Sequence, residues 1–366
     1  MKQRGTVTGL QLGSLVFVFV FSTTIAFLLS SLAAHASFDG GICIWLAAVA
    51  GTALAAASLR FAMRRPAEFV GVYGATIVGK AVHTAILLLT AFFFLYLSAH
   101  IIREFTDFFV PTYLRGTPPV AVSILVMSAA ASIAQSGVAV AFRFAQGCFI
   151  LIGALFLIKP LFFTPSLSSP MWHEFTRIHD WKSLWGQTFG LIPWYGELIL
   201  LAYIVPQLKT GRQARRALWL GSMAGTYILF AEFVLMMLFL GPKLSATLVY
   251  PALELSGFLH LGDFVHNMDA IIVSIWFSGL FIKLSILFAI GTLLTSQALA
   301  LPNYKPITFP LAAFVVAMSV VLARNPVQLA DYFDSSWATF ALLVEGMFFL
   351  YPLVSWLKGR RRKQGA

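Results

Sequence analysis

Ten stretches of this chain are long and apolar enough to cross a bilayer, and that alone removes most folds from consideration. Inside lipid no water satisfies a free backbone N–H or C=O, so a chain crosses only as helices or as a closed barrel. The runs are about 20 residues each, the length a membrane helix needs and about twice that of a membrane strand. The sequence therefore reads as an all-α polytopic membrane protein with ten transmembrane helices: 8–34, 41–59, 81–102, 120–139, 144–163, 184–208, 217–240, 269–298, 307–323 and 337–357. Only 11% of residues are charged and 59% are hydrophobic, against about 25% charged in soluble domains.

The basic residues then set orientation. With ten spans and the amino terminus inside, about 17 of the 25 Lys and Arg fall on the cytoplasmic side and about six outside, as the positive-inside rule demands. An odd number of spans would destroy that bias. The net charge of +11 thus reports topology rather than nucleic-acid binding, and the tail KGRRRK (358–363) reads as an anchor that favours anionic lipid headgroups. Thr8 and Gln11 have capping-box spacing at the start of span 1. The first apolar run is too long for a signal peptide and lacks a small-residue cleavage site, so no cleaved leader is expected. Cys43 and Cys148 lie near opposite membrane faces, and no disulfide is expected between them. The stretch 164–183 is too polar to span and reads as an interfacial helix.

Span 6, LWGQTFGLIPWYGELILLAYIVPQL, is a poor continuous helix. Gly190, Pro193 and Gly196 fall within seven residues, and Glu197 follows at once. Proline removes a backbone donor and glycine weakens helix interiors. In lipid such a break survives only where it is buried in protein or lines a wet cavity, the setting in which transporters bind small ligands. Span 1 carries Ser22, Thr23 and Thr24 at its middle. These hydroxyls either bond back to their own helix or mark a second unwound point facing the first.

Ionisable groups within spans are costly and are functional candidates by default. Lys283 lies deep in span 8, Glu197 beside the break, and Glu232 in span 7. Lys159, nearer the outer end of span 5, is expected to snorkel, and Glu345 sits in span 10 beside Gly346. Glu197 and Lys283 would neutralise each other as a pair, structural or functional. His173, Glu174 and His179 miss the HExxH spacing of a zinc site by two residues. His260, Asp263, His266 and Asp269 recur every third residue, compatible with a metal site or with an acidic helix start at a wet interface. No catalytic constellation, phosphate loop or cofactor motif is present, so no enzyme and no cofactor is expected.

The chain resembles the GerAB-type B subunits of spore germinant receptors over essentially its full length. The resemblance rests on RRPAEFVGVYGATIVGKAVH…HIIREF…RGTPP, with Gly79-Lys80, Arg103 and Thr117-Pro118-Pro119 in family order, and on Gly137 followed by Arg143. It rests also on WYGELILLAYIVPQL, with Gly196-Glu197 and Pro206, and on the Tyr-Pro loop running into span 8, with Trp276, Gly279 and Lys283. It departs at Ala139 and His266, where an acid and an arginine are expected.

The resemblance implies a single transmembrane domain with the APC/LeuT-like 5+5 inverted repeat: 1–163, then 184–357, then the tail 358–366. Spans 1 and 6 are its broken helices, and spans 3 and 8 line the same cavity. It implies a ligand site of Ser22, Thr23 and Thr24, Tyr96 of span 3, Gly190, Pro193, Tyr195, Gly196 and Glu197, and Trp276 and Lys283. The implied function is recognition of a small germinant, typically an amino acid, with A and C partner subunits in the spore inner membrane. An amino-acid transporter working by alternating access is the alternative.

Overall fold

The structure, a computed structural model, describes residues 7–163, 169–208, 211–257, 268–323 and 325–364. Each of the ten expected stretches is helical. Among the described residues, eight helical segments are long and apolar enough to cross a membrane, and two further apolar stretches, Gly9–Ser22 and Lys305–Val321, are shorter. In chain order the helices are α1 (Gly9–His35), α2 (Gly40–Ala62), α3 (Val70–Val78), α4 (Lys80–Tyr113), α5 (Pro119–Ser136), α6 (Ala139–Phe163) and α7 (Trp181–Gly196). After α7 comes a 3₁₀ segment, Glu197–Gln207. Then follow α8 (Gly211–Phe239), α9 (Gly241–Thr247), α10 (Pro251–Gly257), α11 (Met268–Ala298), α12 (Lys305–Val321), α13 (Pro326–Ser335), α14 (Trp337–Met347) and α15 (Leu350–Gln364).

Helix α1 runs through the middle, against α8, α6 and α11. Every side chain from Leu15 to Ser22 is buried, as expected of a helix that is apolar on all faces. It starts where the capping box placed it: Gln11 N–H donates to Thr8 Oγ1, and Thr8 N–H donates to Gln11 Oε1. Small residues bring α8 close. A β-carbon at Gly221 would overlap the Gly13 carbonyl, and one at Gly225 would stand 3.1 Å from the Phe17 carbonyl oxygen. Ahead of α1, Val7 N–H donates to the Gln207 carbonyl at 3.1 Å, within a parallel bridge between Val7 and Leu208.

Large apolar side chains such as Leu89, Leu125 and Leu343 are exposed on spanning helices, which is the pattern of a lipid-facing surface. Cys43 and Cys148 are separate buried thiols, and Cys43 Sγ donates to the Leu184 carbonyl, tying α2 to α7.

Three expectations need correction. Span 1 is not broken: Gly9–His35 is one continuous α-helix. Span 3 does not end at residue 102, because α4 runs 34 residues from Lys80 to Tyr113 and keeps Glu104 in its buried part. At 1.5 Å per residue that helix is about 50 Å long, well beyond a ~30 Å hydrocarbon core. Within the stretch 164–183 the expected helix is only a short 3₁₀ one, Ser169–Thr176, followed after residue 180 by the first turn of α7.

Candidate functional site

The break in span 6 lies later than the spacing of glycine and proline suggested. Helix α7 passes through Gly190 and Pro193 without interruption and ends at Gly196; from Glu197 the chain tightens into 3₁₀ geometry. Ile204 leaves helical geometry altogether (φ −117°, ψ 15°), two residues before Pro206. Nothing stands near a β-carbon built at Gly190, whereas one at Gly196 would collide with the Glu345 carboxylate. Gly196 is the glycine whose missing side chain is used. Gly51 of α2 backs the same place, since a β-carbon there would lie 2.5 Å from the Ile192 carbonyl oxygen and from Tyr195 Cβ.

Lys283 of α11 reaches this break. Its Nζ lies 2.7 Å from Glu197 Oε2, with both side chains 1% exposed or less. The ammonium also faces the Phe19 ring of α1 at 4.4 Å and the Trp194 ring of α7 at 5.5 Å, contacts that favour a desolvated cation. The pair is close but poorly aligned: neither Glu197 oxygen has a well-directed hydrogen-bond donor among the described residues. Two further buried carboxylates stand in the neighbourhood. Glu104 of α4 is within electrostatic reach of both Lys283 and Glu197, and Glu345 of α14 is within reach of Glu197. Neither Glu345 oxygen, nor Glu104 Oε2, has a hydrogen-bond partner among the described residues. Buried polar groups are ordinarily satisfied, so this much unused acceptor capacity at one point marks a site.

Helix α11 supplies one face to it. Trp276, Gly279 and Lys283 recur at helical spacing. Trp276 Nε1 donates to the Ser22 carbonyl at 2.6 Å, and a β-carbon at Gly279 would stand 3.3 Å from Ser22 Cβ. The Ser22 hydroxyl bonds back to the Phe19 carbonyl at 3.4 Å. So α1 stays helical at Ser22 while its backbone carbonyl is drawn toward α11. The side chains of Thr23 and Thr24 lie outside the described residues.

The other expected site residues divide. Pro193 is buried within α7. Tyr195 turns to α2 and α8: its hydroxyl lies 3.1 Å from Thr226 Oγ1, whose single proton also has the Ser222 carbonyl at 2.8 Å. Tyr96, half-buried on α4, belongs to an aromatic cluster with His100, Tyr332 and Phe340. That cluster reaches the break through Trp337 and Trp194.

The structure overturns the snorkelling of Lys159. Its ammonium donates to Glu232 Oε2 at 2.7 Å and to the Ala252 carbonyl at 3.2 Å, fully buried. Outside the membrane, His179 bridges two carboxylates, with Nδ1 3.0 Å from Asp39 Oδ1 and Nε2 3.0 Å from Glu174 Oε2. Asp39 also accepts the N–H groups of His179 and Asp180, and Asp180 caps α7. The trio is a loop clamp, and its carboxylates hold the His179 pKa above the ordinary 6.5. Of the other histidine–acid series, His260, Asp263 and His266, and the side chain of Asp269, lie outside the described residues.

A central helix sealed by its neighbours, a span that changes helix type midway and a buried charged cluster at that change together define a polytopic helical membrane fold with its break buried in protein. Mhp1, a nucleobase-cation-symport-1 family transporter in a closed conformation with bromovinylhydantoin bound, matches with a TM-score of 0.70 at 12% identity, over 94% of this chain and 79% of its own. A Na⁺-coupled sialic acid symporter in a substrate-bound outward-open state matches with a TM-score of 0.69 at 12% identity, over 96% and 79%. The fold is LeuT-like. By sequence the assignment is narrower: the family pattern described as spore germination protein matches residues 6–327, and the chain belongs to that family. Spore germination protein KB of Bacillus subtilis (strain 168) is 22% identical over 291 residues, 74% of each chain.

Proposed function

We propose that the protein is a germinant receptor subunit that binds a small germinant, an amino acid, at the α7 break and signals to A and C partner subunits in the spore inner membrane. The observation that carries this reading is the one ammonium, Lys283, set among Glu197, Glu104 and Glu345, whose acceptor capacity is largely unused. A zwitterion entering there would give its carboxylate to Lys283 and its ammonium to the carboxylates, replacing the Lys283–Glu197 contact by two better ones. Trp194, Trp276 and Phe19 would wall the site against water, strengthening each charged contact. The supporting frame is the one implied by resemblance: ten spans in two five-helix inverted repeats, both termini on the cytoplasmic side, and a binding protein rather than an enzyme.

The LeuT-like fold favours one second reading, an amino-acid permease that alternates access. Equilibrium binding to the purified protein, set beside uptake into proteoliposomes, separates the two. The receptor reading expects saturable binding of an amino acid, loss of binding when its carboxylate is amidated or its amino group removed, and no concentrative uptake. Robust uptake by this chain alone makes it a permease. Unchanged affinity for the amidated or deaminated ligand removes the zwitterion site.

A further inference from the structure

Helices α2 and α8 meet at several levels, Gly40 against Phe233 and Trp45 against Phe230 among them, and toward the end where α2 stops two contacts bracket a gap between them. At the deeper level Thr52 Oγ1 and Ser222 Oγ share a hydrogen bond of 2.5 Å. At the helix ends, the Met63 side chain packs on Gly211, where a β-carbon would stand 3.2 Å from Met63 Sδ. Between these pins lies a cleft of about 510 Å³. The α2 side of it repeats at helical spacing, from Ala53 through Ala56 and Ala57 to Arg60, and the α8 side runs from Arg212 through Arg215 and Arg216 to Trp219. The eleven residue steps from Thr52 to Met63 rise about 16 Å.

The cleft is graded along that length. Its four arginines gather at the end where α2 stops and α8 starts, and alanine and tryptophan line it deeper in. No carboxylate lines it, and Arg60, Arg212, Arg215 and Arg216 make no ion pair among the described residues. All four are exposed, as are Ala53 and Ala57. The positive end of the α8 helix dipole lies at the same level. Exposed alanines on a membrane-spanning helix meet acyl chains, while guanidinium groups at the helix ends meet phosphate. Simple orientation by positive charge requires none of this: it needs neither a cleft, nor a small-residue wall, nor convergence of two helices.

We infer that the α2–α8 cleft binds one anionic glycerophospholipid, its phosphate and headgroup held by Arg60, Arg212, Arg215 and Arg216 and its upper acyl chain laid against Ala53, Ala57 and Trp219. Lipid in this position bridges the two contacts that bracket the cleft, and so fixes α2 against α8. Because α2 also backs the α7 break through Gly51, the lipid stabilises the frame behind the germinant site without touching it.

The test uses the full-length protein in detergent, with dioleoylphosphatidylglycerol or dioleoylphosphatidylcholine added at equal concentration and retained lipid read by native mass spectrometry. Phosphatidylglycerol is expected to be retained and phosphatidylcholine not. Combining Arg212→Gln, Arg215→Gln and Arg216→Gln should lower retention on the order of a hundredfold, at about a factor of five per basic residue. Ala57→Trp fills the cleft while leaving every charge in place, and should lower retention at an unchanged melting temperature. It decides the matter should the triple variant fail to fold. Equal retention of the two lipids, or native retention by Ala57→Trp, overturns the inference. Displacement of the lipid by millimolar inorganic phosphate reduces the cleft to a plain anion site and overturns it too. Loss of co-purifying A and C subunits with lipid retention intact assigns the cleft to a protein partner instead.

Discussion

Two buried ion pairs in this protein have the same length and opposite surroundings. Lys159–Glu232 and Lys283–Glu197 both close to 2.7 Å with side chains 1% exposed or less. The first joins α6 to α8, two uninterrupted helices, and is completed by the Ala252 carbonyl and the Phe156 ring. Glu232 Oε2 accepts a directed hydrogen bond from Lys159, while among the described residues both Glu197 oxygens lack an aligned donor. The second pair also sits where α7 changes to 3₁₀ geometry, beside Glu345, neither of whose oxygens has a hydrogen-bond partner among the described residues, and Glu104, whose Oε2 has none. A saturated pair braces helices that lipid alone would not hold together. An unsaturated one keeps capacity for something that arrives later.

The largest effects come from breaking each pair singly. Removing one partner from a buried pair costs about 3–5 kcal/mol, whereas apolar replacement of both is close to neutral. Lys159→Met, Glu232→Leu, Lys283→Met and Glu197→Leu should therefore each sharply lower the folded yield and melting temperature. The double variants sharpen the contrast. Lys159→Met/Glu232→Leu should recover both stability and germinant binding, and Lys283→Met/Glu197→Leu stability alone. Binding that survives the second double variant would make both pairs mere braces.

A smaller effect is expected at Gly196. The methyl of Gly196→Ala drives into the Glu345 carboxylate and, as overpacking, should cost about 1–3 kcal/mol. Gly190→Ala, in open space within α7, should be neutral or stabilising, as Gly→Ala in a helix interior gains about 1 kcal/mol. Thermal unfolding of the two variants side by side tests whether the break lies at Gly196. A larger loss from Gly190→Ala would move it back.

Next comes the start of α7. Asp180→Ala removes the acceptor of the Lys182 and Ser183 N–H groups, and cap loss costs about 1 kcal/mol. It should loosen the first half of span 6 while leaving the Lys159–Glu232 brace untouched. Hydrogen exchange confined to the first turns of α7 is the expected readout; exchange spreading to α8 would couple the two regions.

The smallest effect is a pH dependence. Hydrogen bonds to Glu174 and then Asp39 raise the His179 pKa, and the bond to His179 is the main cause that lowers that of Glu174. A raised folded pKa means that the imidazolium contribution is complete below the ordinary value of 6.5 and fades as pH climbs through the folded one. The Glu174 contribution behaves oppositely, present above the ordinary carboxylate range and lost as pH falls through its lowered value. Limited proteolysis around residues 169–183 should thus be slowest between the two and quicken toward alkaline pH. His179→Gln should flatten the alkaline rise. Lys283–Glu197 and germinant affinity should not follow this profile.

What was legible in the sequence was whatever lipid makes expensive. Apolar length announced the helices, Thr8 and Gln11 announced the first cap, and Glu197 and Lys283 stood out as charges that lipid cannot leave alone. Glu104 was hidden because Arg103 beside it looked like the end of a span. A helix longer than the bilayer is thick erases that boundary signal, and Asp107, 2.8 Å from Arg103 Nε, keeps the arginine occupied within the helix. The exact position of the break was equally hidden. Glycine and proline mark three candidates in α7, and only the Glu345 side chain, 149 residues later in the chain, selects Gly196. Lys159 misled for a related reason: its place near the end of a span suggested water, but Glu232 and the Ala252 carbonyl lay nearer.

The short bridge at Val7 has a mechanical meaning. The strand-like contact clips the first residues of the central helix to the last residues of span 6, turning two rods into a pair of tongs joined at one end. Tongs so joined part most readily at the far end. Any movement that separates them at the joined end must therefore first unclip Val7 from Gln207 and Leu208.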